Sequence, residues 1–310
     1  VGSVFTQTCG SWELICFNDA STDGSLELLR GLQARSDGRM HIIDSPVNVK
    51  QGGGRNRALQ RARGRYVMFL DADDALAPDA VESCLEEAGR GADMVVFDYA
   101  RMDGDRLTRV CQLGEDAATL GTAELRRRIV LRTTPVWSAM YERSLIADRG
   151  LFFPEGVFYE DNAVAMAIQL SARKPVKLNA PLYRYRVDNA SVTRSTDNYR
   201  FFHRLASART LLGHLKRLGL YEEFAREIDF LFINQYYTHT VFGCVYRFSR
   251  VPMLRHRYVC RTIRRYVPDF SDNPYYRSQP LGLRLKIVLH VRFPRVIHGL
   301  SRLKRRLTGA

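Results

Sequence analysis

Residues 65–78 read RYVMFLDADDALAP. Tyr66 to Leu70 are all apolar or aromatic, and they run directly into Asp71, Ala72, Asp73 and Asp74. The pattern predicts a buried strand over 66–72 that ends on carboxylates. Like charges so close repel one another, and the arrangement is tolerable where something positive sits among them. Residues two apart in a strand share a face, so Asp71 and Asp73 are expected to converge. Hard cations such as Mg2+ and Mn2+ take oxygen ligands, often one or two carboxylates together with substrate phosphates. The alternative is that Asp73, Asp74 and Asp79 only cap the helix after Pro78.

Working outward, the first part of the chain alternates between strand and helix patterns. WELICF (12–17) and MHIID (40–44) read as strands, and SLELLRGLQ (25–33) has the apolar spacing of a helix. QGGGRNRALQRARG (51–64) reads as a glycine loop running into a helix, and 78–90 as a helix opened by Pro78. ADMVVFDYARM (92–102) reads as a strand, with a hairpin turn at 103–105. This order predicts an α/β fold with a parallel-rich sheet whose ligands sit beyond the C-terminal strand ends. Asp19 and the Asp71–Asp74 cluster fall at such ends. GGGRNR (52–57) has neither of the spacings of a phosphate-binding glycine loop.

Of the 310 residues 45% are hydrophobic, which excludes a disordered chain. Six cysteines show no C-x-x-C pair, the seven histidines show no paired metal spacing, and no signal peptide is visible at the start. The thiols are therefore expected to be reduced and buried. The net charge of +14 is unevenly distributed. Residues 1–199 hold 25 Lys and Arg against 27 Asp and Glu, a balance of −2, whereas 200–310 hold 22 against 6, a balance of +16. Two parts with different tasks are implied: a near-neutral front and a basic back that seeks an anionic surface. The longest uncharged stretch, 230–246, contains Asn234, Gln235, Thr238, His239 and Thr240, and so reads as a buried or interfacial helix, not a membrane span.

WELICFNDASTDGS (12–25), GGGRNRALQRARGRYVMFLDADDALAP (52–78), EGVFYEDNAVAMA (155–167) and PLYRYRVDNAS (181–191), in this order, resemble the inverting family-2 glycosyltransferases of bacteria. The resemblance implies a GT-A fold, the Rossmann-like nucleotide-diphospho-sugar transferase fold, with a mixed sheet and helices on both faces over residues 1–198. A helical, basic region, 199–310, follows. SVFTQT (3–8) resembles the end of the family's first helix, so the domain reads as N-terminally incomplete, without its opening strand and nucleotide-facing loop.

The resemblance also assigns roles. Asp73 would ligate Mn2+ or Mg2+, and Asp71 would reach the ribose, the sugar or the metal shell. Asp19 would recognise the nucleotide base, commonly uracil. For Asp74 metal support and helix capping stand equal, and for Arg55 diphosphate neutralisation and loop closure stand equal. Asp161 would be the catalytic base, with Glu160 orienting or binding the acceptor. An inverting transfer needs one base for the acceptor hydroxyl and one electrophile for the leaving diphosphate. The expected donor is a nucleotide-diphospho-sugar, a UDP-sugar. The expected acceptor is a cell-surface glycan or lipid-linked hydroxyl. The Q-x-x-R-W signature of processive synthases is absent.

Residues 284–306, RLKIVLHVRFPRVIHGLSRLKRR, hold eight Lys and Arg and no acid. This suits an amphipathic segment on an anionic membrane surface, with Ile287, Val288, Val291, Phe293 and Ile297 facing the lipid and Pro294 breaking the helix. The expected location is cytoplasmic, peripheral on the inner face of the bacterial membrane. A nucleic-acid binder is the competing class, but no zinc site, RRM motif or KH loop supports it. A non-catalytic scaffold is the other alternative.

Overall fold

The structure is a computed structural model that describes residues 1–187 and 196–308, the side chains of 305–308 excepted. Part of the PLYRYRVDNAS motif, 188–191, therefore lies outside the described residues. The chain divides into two compact units, Val1–Asn189 and Ala190–Ala310.

The first unit runs α1 (Gly2–Phe5), β1 (Leu14–Asp19), α2 (Ser25–Gln33), β2 (Met40–Ser45), α3 (Lys50–Arg61), β3 (Tyr66–Met68) and β4 (Ala75–Leu76). It continues with α4 (Ala80–Gly89), β5 (Met94–Asp103), β6 (Arg106–Val110), α5 (Thr122–Arg132), β7 (Ala139–Glu142), α6 (Ser144–Ala147), α7 (Ala165–Leu170) and β8 (Pro175–Arg186). β1 and β2 form a parallel pair, with Leu14 opposite Met40. The larger sheet has the order β3-β7-β5-β8-β4, with β6 added to β5 as a hairpin. Only β5 and β8 are parallel within it, and its other pairs are antiparallel. The expected parallel-rich sheet is thus replaced by a mixed one, because β7 and β6 return antiparallel beside β5. Met94, Val95, Val96 and Phe97 are all fully buried. Successive strand residues point to opposite faces, so both faces of β5 are covered. On one face Val95 and Phe97 pack with Ala80, Cys84 and Ala88 of α4.

Two local readings are corrected. Residues 51–54 form no loop: Gln51 to Gly54 lie inside α3, and the three glycines are buried. Glycine lowers helix propensity by about 1 kcal/mol each, and tertiary packing overrides it here. A Cβ on Gly52 would stand 2.3 Å from the Pro154 carbonyl oxygen, and one on Gly54 would stand 2.7 Å from the Phe17 ring. The bare backbone lets α3 press against β1 and the 151–160 loop. The strand of the opening motif is also shorter than expected. It stops at Met68, and Ala72 and Asp73 form a turn. The strand alternation that predicted the convergence of Asp71 and Asp73 is absent there.

The helix α1 is fixed to the exit of the aspartate turn. Ser3 Oγ accepts from the Leu76 N–H, and the Gln7 side chain accepts from the Val81 N–H and donates to the Ala77 carbonyl. No disulfide joins the six cysteines; Cys84 and Cys244 are buried, and the other four are half-buried rather than buried as expected.

The second unit is helical: α8 (His203–Arg217), α9 (Ala225–Phe232), α10 (His239–Tyr246), α11 (Met253–Tyr266), α12 (Pro274–Arg277), α13 (Leu281–Arg292) and α14 (Pro294–Thr308). A π-helical turn, Ile233–Thr238, joins α9 to α10. Ile233, Tyr236, Val241 and Cys244 are fully buried, so the uncharged stretch is a core helix of this unit. Among the described residues no helix is long and apolar enough to cross a membrane.

Gly52→Ala is expected to destabilise the protein by about 1–3 kcal/mol, the usual cost of overpacking against backbone. Gly31→Ala, on the exposed side of α2 where a Cβ meets nothing within 4 Å, should stabilise by about 0.5–1 kcal/mol. Denaturant unfolding of both variants checks the contrast.

Candidate functional site

The side chain of Arg55 projects from α3 into a cluster of acids. Its Nη2 donates to Asp71 Oδ1 at 2.8 Å and its Nη1 to Glu160 Oε1 at 2.7 Å. Its ring-facing side lies over Phe153, 5.4 Å from the centroid. Burial pulls the guanidinium pKa down, but Asp71, Glu160 and Asp161 together outweigh it and hold the group above its ordinary value. The positive partner that the aspartate knot required is therefore present in the chain itself. Arg55 neutralises Asp71 and draws the aspartate turn against the Glu160–Asp161 pair.

The loop carrying that pair is anchored to the same helix. Asn56 Nδ2 donates to the Phe153 carbonyl at 2.8 Å, and its Oδ1 accepts from the Phe153 N–H at 2.9 Å. Glu160 is 4% exposed, and its pKa is raised by burial against the opposing pull of Arg55. Asp161 is half-buried. Burial raises its pKa, Arg55 opposes the rise, and Asp71 adds to it. Its Oδ1 accepts from the Asn162 N–H at 2.8 Å, whereas Oδ2 has no hydrogen bond among the described residues. One oxygen is oriented and the other is open, as proton acceptance requires.

Within the aspartate turn the three carboxylates have different surroundings. Asp74 is 8% exposed. Its Oδ2 accepts from the Tyr183 hydroxyl at 2.7 Å and its Oδ1 from the Arg186 N–H at 2.8 Å. The Tyr183 hydroxyl in turn accepts from the Asp71 N–H at 3.1 Å. Asp74 thus fastens the turn to β8, which makes it a supporting group. Burial pushes its pKa up to about 6, opposed by those two hydrogen bonds. Asp73 is exposed and its carboxylate has no partner among the described residues. Asp79 takes the position before α4 without a side-chain hydrogen bond to the helix.

Asp19 sits at the C-terminal end of β1, and both its oxygens accept backbone N–H groups, from Val49 at 2.6 Å and Lys50 at 2.9 Å. It caps the start of α3, while Asp23 accepts from the Ser25 N–H at the start of α2. Ala20, Lys50 and Tyr159 have φ of 56°, 63° and 63°. Left-handed conformations at non-glycine residues cost about 1–3 kcal/mol each and gather at functional sites; these three flank Asp19, the start of α3 and Glu160.

Among the described residues no three His, Cys, Asp or Glu side chains form a metal cage. The donor set still fits a hard cation bound jointly with a diphosphate, because Asp73 and Asp71 Oδ2 are open. Neither Tyr183 nor Arg186 is singled out by the sequence patterns. The partner of the Tyr183 hydroxyl, 109 residues away at Asp74, left no local signal.

Residues 1–146 match the family model described as Glycosyl transferase family 2. The chain is similar to the putative glycosyltransferase EpsH of Bacillus subtilis (strain 168), 29% identical over 238 residues, 73% of this chain and 67% of that one. Over a shorter stretch of 86 residues, 28% of this chain and 34% of the relative, it is 42% identical to the putative teichuronic acid biosynthesis glycosyltransferase TuaG of the same organism. Among solved structures, S. aureus TarS 1-349 in complex with UDP superposes with a TM-score of 0.69 at 17% identity, covering 98% of this chain and 86% of that one. The shared fold is GT-A.

A raised carboxyl pKa means that the folded state holds its proton more tightly than the unfolded state. The contribution of Asp74 is therefore fully present below about pH 4 and is lost as pH rises through about 6. A rise from 3.8 to about 6 corresponds to about 3 kcal/mol. Asp74→Asn should remove this part of the pH dependence, giving a flatter stability curve between pH 4 and about 7 in denaturant titrations.

Proposed function

We propose that this chain is a member of glycosyl transferase family 2, whose model matches residues 1–146, and that it is an inverting, metal-dependent enzyme that moves a sugar from a nucleotide diphosphate to an acceptor hydroxyl. The observation that carries this reading is the Arg55 bridge, which brings the aspartate turn and the Glu160–Asp161 pair to one place. Asp161 takes the proton of the attacking hydroxyl on its open Oδ2 while the acceptor oxygen bonds to the anomeric carbon and the bond from that carbon to the diphosphate oxygen breaks. Attack from the side opposite the leaving group inverts the centre. Glu160, held by Arg55, orients the acceptor. A bound Mn2+ or Mg2+, held by Asp73 with the open oxygen of Asp71 beside it, would supply positive charge to the departing diphosphate.

The donor is proposed to be a UDP-sugar, with Asp19 near the base; the fold is shared with TarS, solved with UDP and with UDP-GlcNAc. The acceptor is proposed to be a cell-surface glycan or a lipid-linked sugar, in keeping with the similarity to a putative teichuronic acid biosynthesis glycosyltransferase. A lipid-linked acceptor places the enzyme at the inner face of the cytoplasmic membrane.

Asp161→Asn keeps size and hydrogen bonding but accepts no proton. It is expected to lower kcat by about 10²–10⁴ with donor affinity unchanged, read as nucleotide release with a screened donor set. In the wild type the acidic limb of the kcat/KM profile should lie above the ordinary carboxylate range, because burial raises Asp161. A parallel loss of donor affinity would make Asp161 structural.

Asp73→Ala is expected to abolish transfer without loss of stability, since it removes one charge from a repelling cluster. EDTA should do the same to the wild type, with Mn2+ or Mg2+ restoring it. Full activity in either case refutes the metal assignment.

A further inference from the structure

The end of the second unit carries an exposed apolar ridge on two well-packed helices. Leu285, Leu289, Phe293, Val296, Leu300 and Leu303 are between 45% and 59% exposed. The spacing of three and four residues puts Leu285 and Leu289 on one face of α13 and Val296, Leu300 and Leu303 on one face of α14, with Phe293 at the break between the two helices. The opposite faces are tied down. Ile287 and His290 of α13 are buried, and the His290 imidazole bonds the Tyr246 hydroxyl of α10 at 2.6 Å. On α14 the His298 ring reaches the Val245 and Ser249 carbonyls at 2.8 and 3.1 Å, and Arg302 reaches the latter at 3.1 Å. The ridge thus belongs to a fixed surface. This corrects the lipid-facing set read from the sequence in part: Ile287 is core and Val291 and Ile297 are half-buried, whereas Val288 and Phe293 are exposed, and the helix breaks at Pro294 as expected, α13 ending at Arg292 and α14 beginning at Pro294.

We propose that this ridge is the element by which the protein docks on an anionic bilayer, with the apolar side chains entering the headgroup boundary and the basic residues pairing with lipid phosphates. The proposal deepens the membrane location given above and is independent of the transfer chemistry. Charge selects the occupant. Residues 273–310 contain nine Lys and Arg and no Asp or Glu. Arg292 and Arg295 are exposed and make no ion pair among the described residues. A second copy would set this uniformly basic face against itself. A nucleic acid would match the charge and leave the ridge in water. An anionic bilayer satisfies both the charge and the apolar area.

The test uses the full chain, since deleting α13 and α14 would strip buried contacts from α10. Cosedimentation is measured with vesicles of equimolar phosphatidylglycerol and phosphatidylcholine, and with phosphatidylcholine alone. The wild type should bind the anionic vesicles and lose binding as salt rises. Phe293→Ser with Leu300→Ser should weaken that binding about tenfold per substitution without lowering Tm, since both side chains are exposed. Arg292→Gln with Arg295→Gln should weaken it about fivefold per substitution. Asp161→Asn should bind vesicles like the wild type, so failure of the docking and failure of the proposed catalysis are read separately. Equal binding to neutral vesicles overturns the proposal, as does undiminished binding by the serine variant. So does a wild-type dimer that the serine variant dissociates and that ignores vesicles, or duplex DNA bound more tightly than vesicles at matched salt.

Discussion

One half-buried cation organises the candidate site. Arg55 holds Asp71 with one arm of its guanidinium and Glu160 with the other, at 2.8 and 2.7 Å. The planar fork is suited to two carboxylates at once, where the single ammonium of a lysine would serve one. Without it, Asp71, Glu160 and Asp161 would be like charges in a partly dry environment, and breaking such a buried pair costs about 3–5 kcal/mol. The ion pair therefore sets the distance between the aspartate turn and the acids before α7. It also leaves the atoms of the proposed chemistry free: Asp73 stands outside the pair, and Asp161 touches it through the field of Arg55 and not through a hydrogen bond.

The rest of the first unit is arranged so that Arg55 can reach. The helix α3 carries Gly52 and Gly54 where the 151–160 loop and β1 come closer than a side chain permits. Asn56, one residue along, meets the Phe153 backbone with both its donor and its acceptor. Asp19 bonds two N–H groups at the head of the same helix, one of them at Lys50, whose φ is 63°. The helix is a rigid mount held at its head by Asp19, along its length by bare backbone, and at Asn56 by the loop that it positions. From the other side, Asp74 and Tyr183 hold the aspartate turn to β8.

The second unit meets a different constraint. Its core is ordinary, with Phe232 stacked on Tyr236 and the π-helical turn buried. Its surface is not: positive charge accumulates toward the end of the chain with no acid after Asp272. Repulsion of that kind is sustained only where the charges remain solvated or meet an anionic partner. Apolar residues at helical spacing in the middle of the same surface are the feature that separates the two cases.

Much of the fold was legible in the sequence. The helix over 25–33 follows from the spacing of Leu26, Leu29 and Leu32, which α2 half-buries, and the strand at 40–44 follows from its apolar run. The hairpin at 103–105 follows from its turn residues. The acids at the strand ends and the uneven charge are composition laid along the chain, and need no third dimension. What the sequence alone left open was decided by contacts between residues far apart. Glycines at 52–54 signal a loop locally, and only the approach of Phe17 and Pro154 makes a helix of them. Arg55 could neutralise a diphosphate or close a loop; Glu160, 105 residues away, gives it a partner inside the chain. Asp74 could ligate or cap, and Tyr183 makes it a strut. Local propensity is fixed by neighbours in the chain, whereas the role of a charged side chain depends on which groups folding brings within 3 Å of it, and that is a property of the tertiary structure.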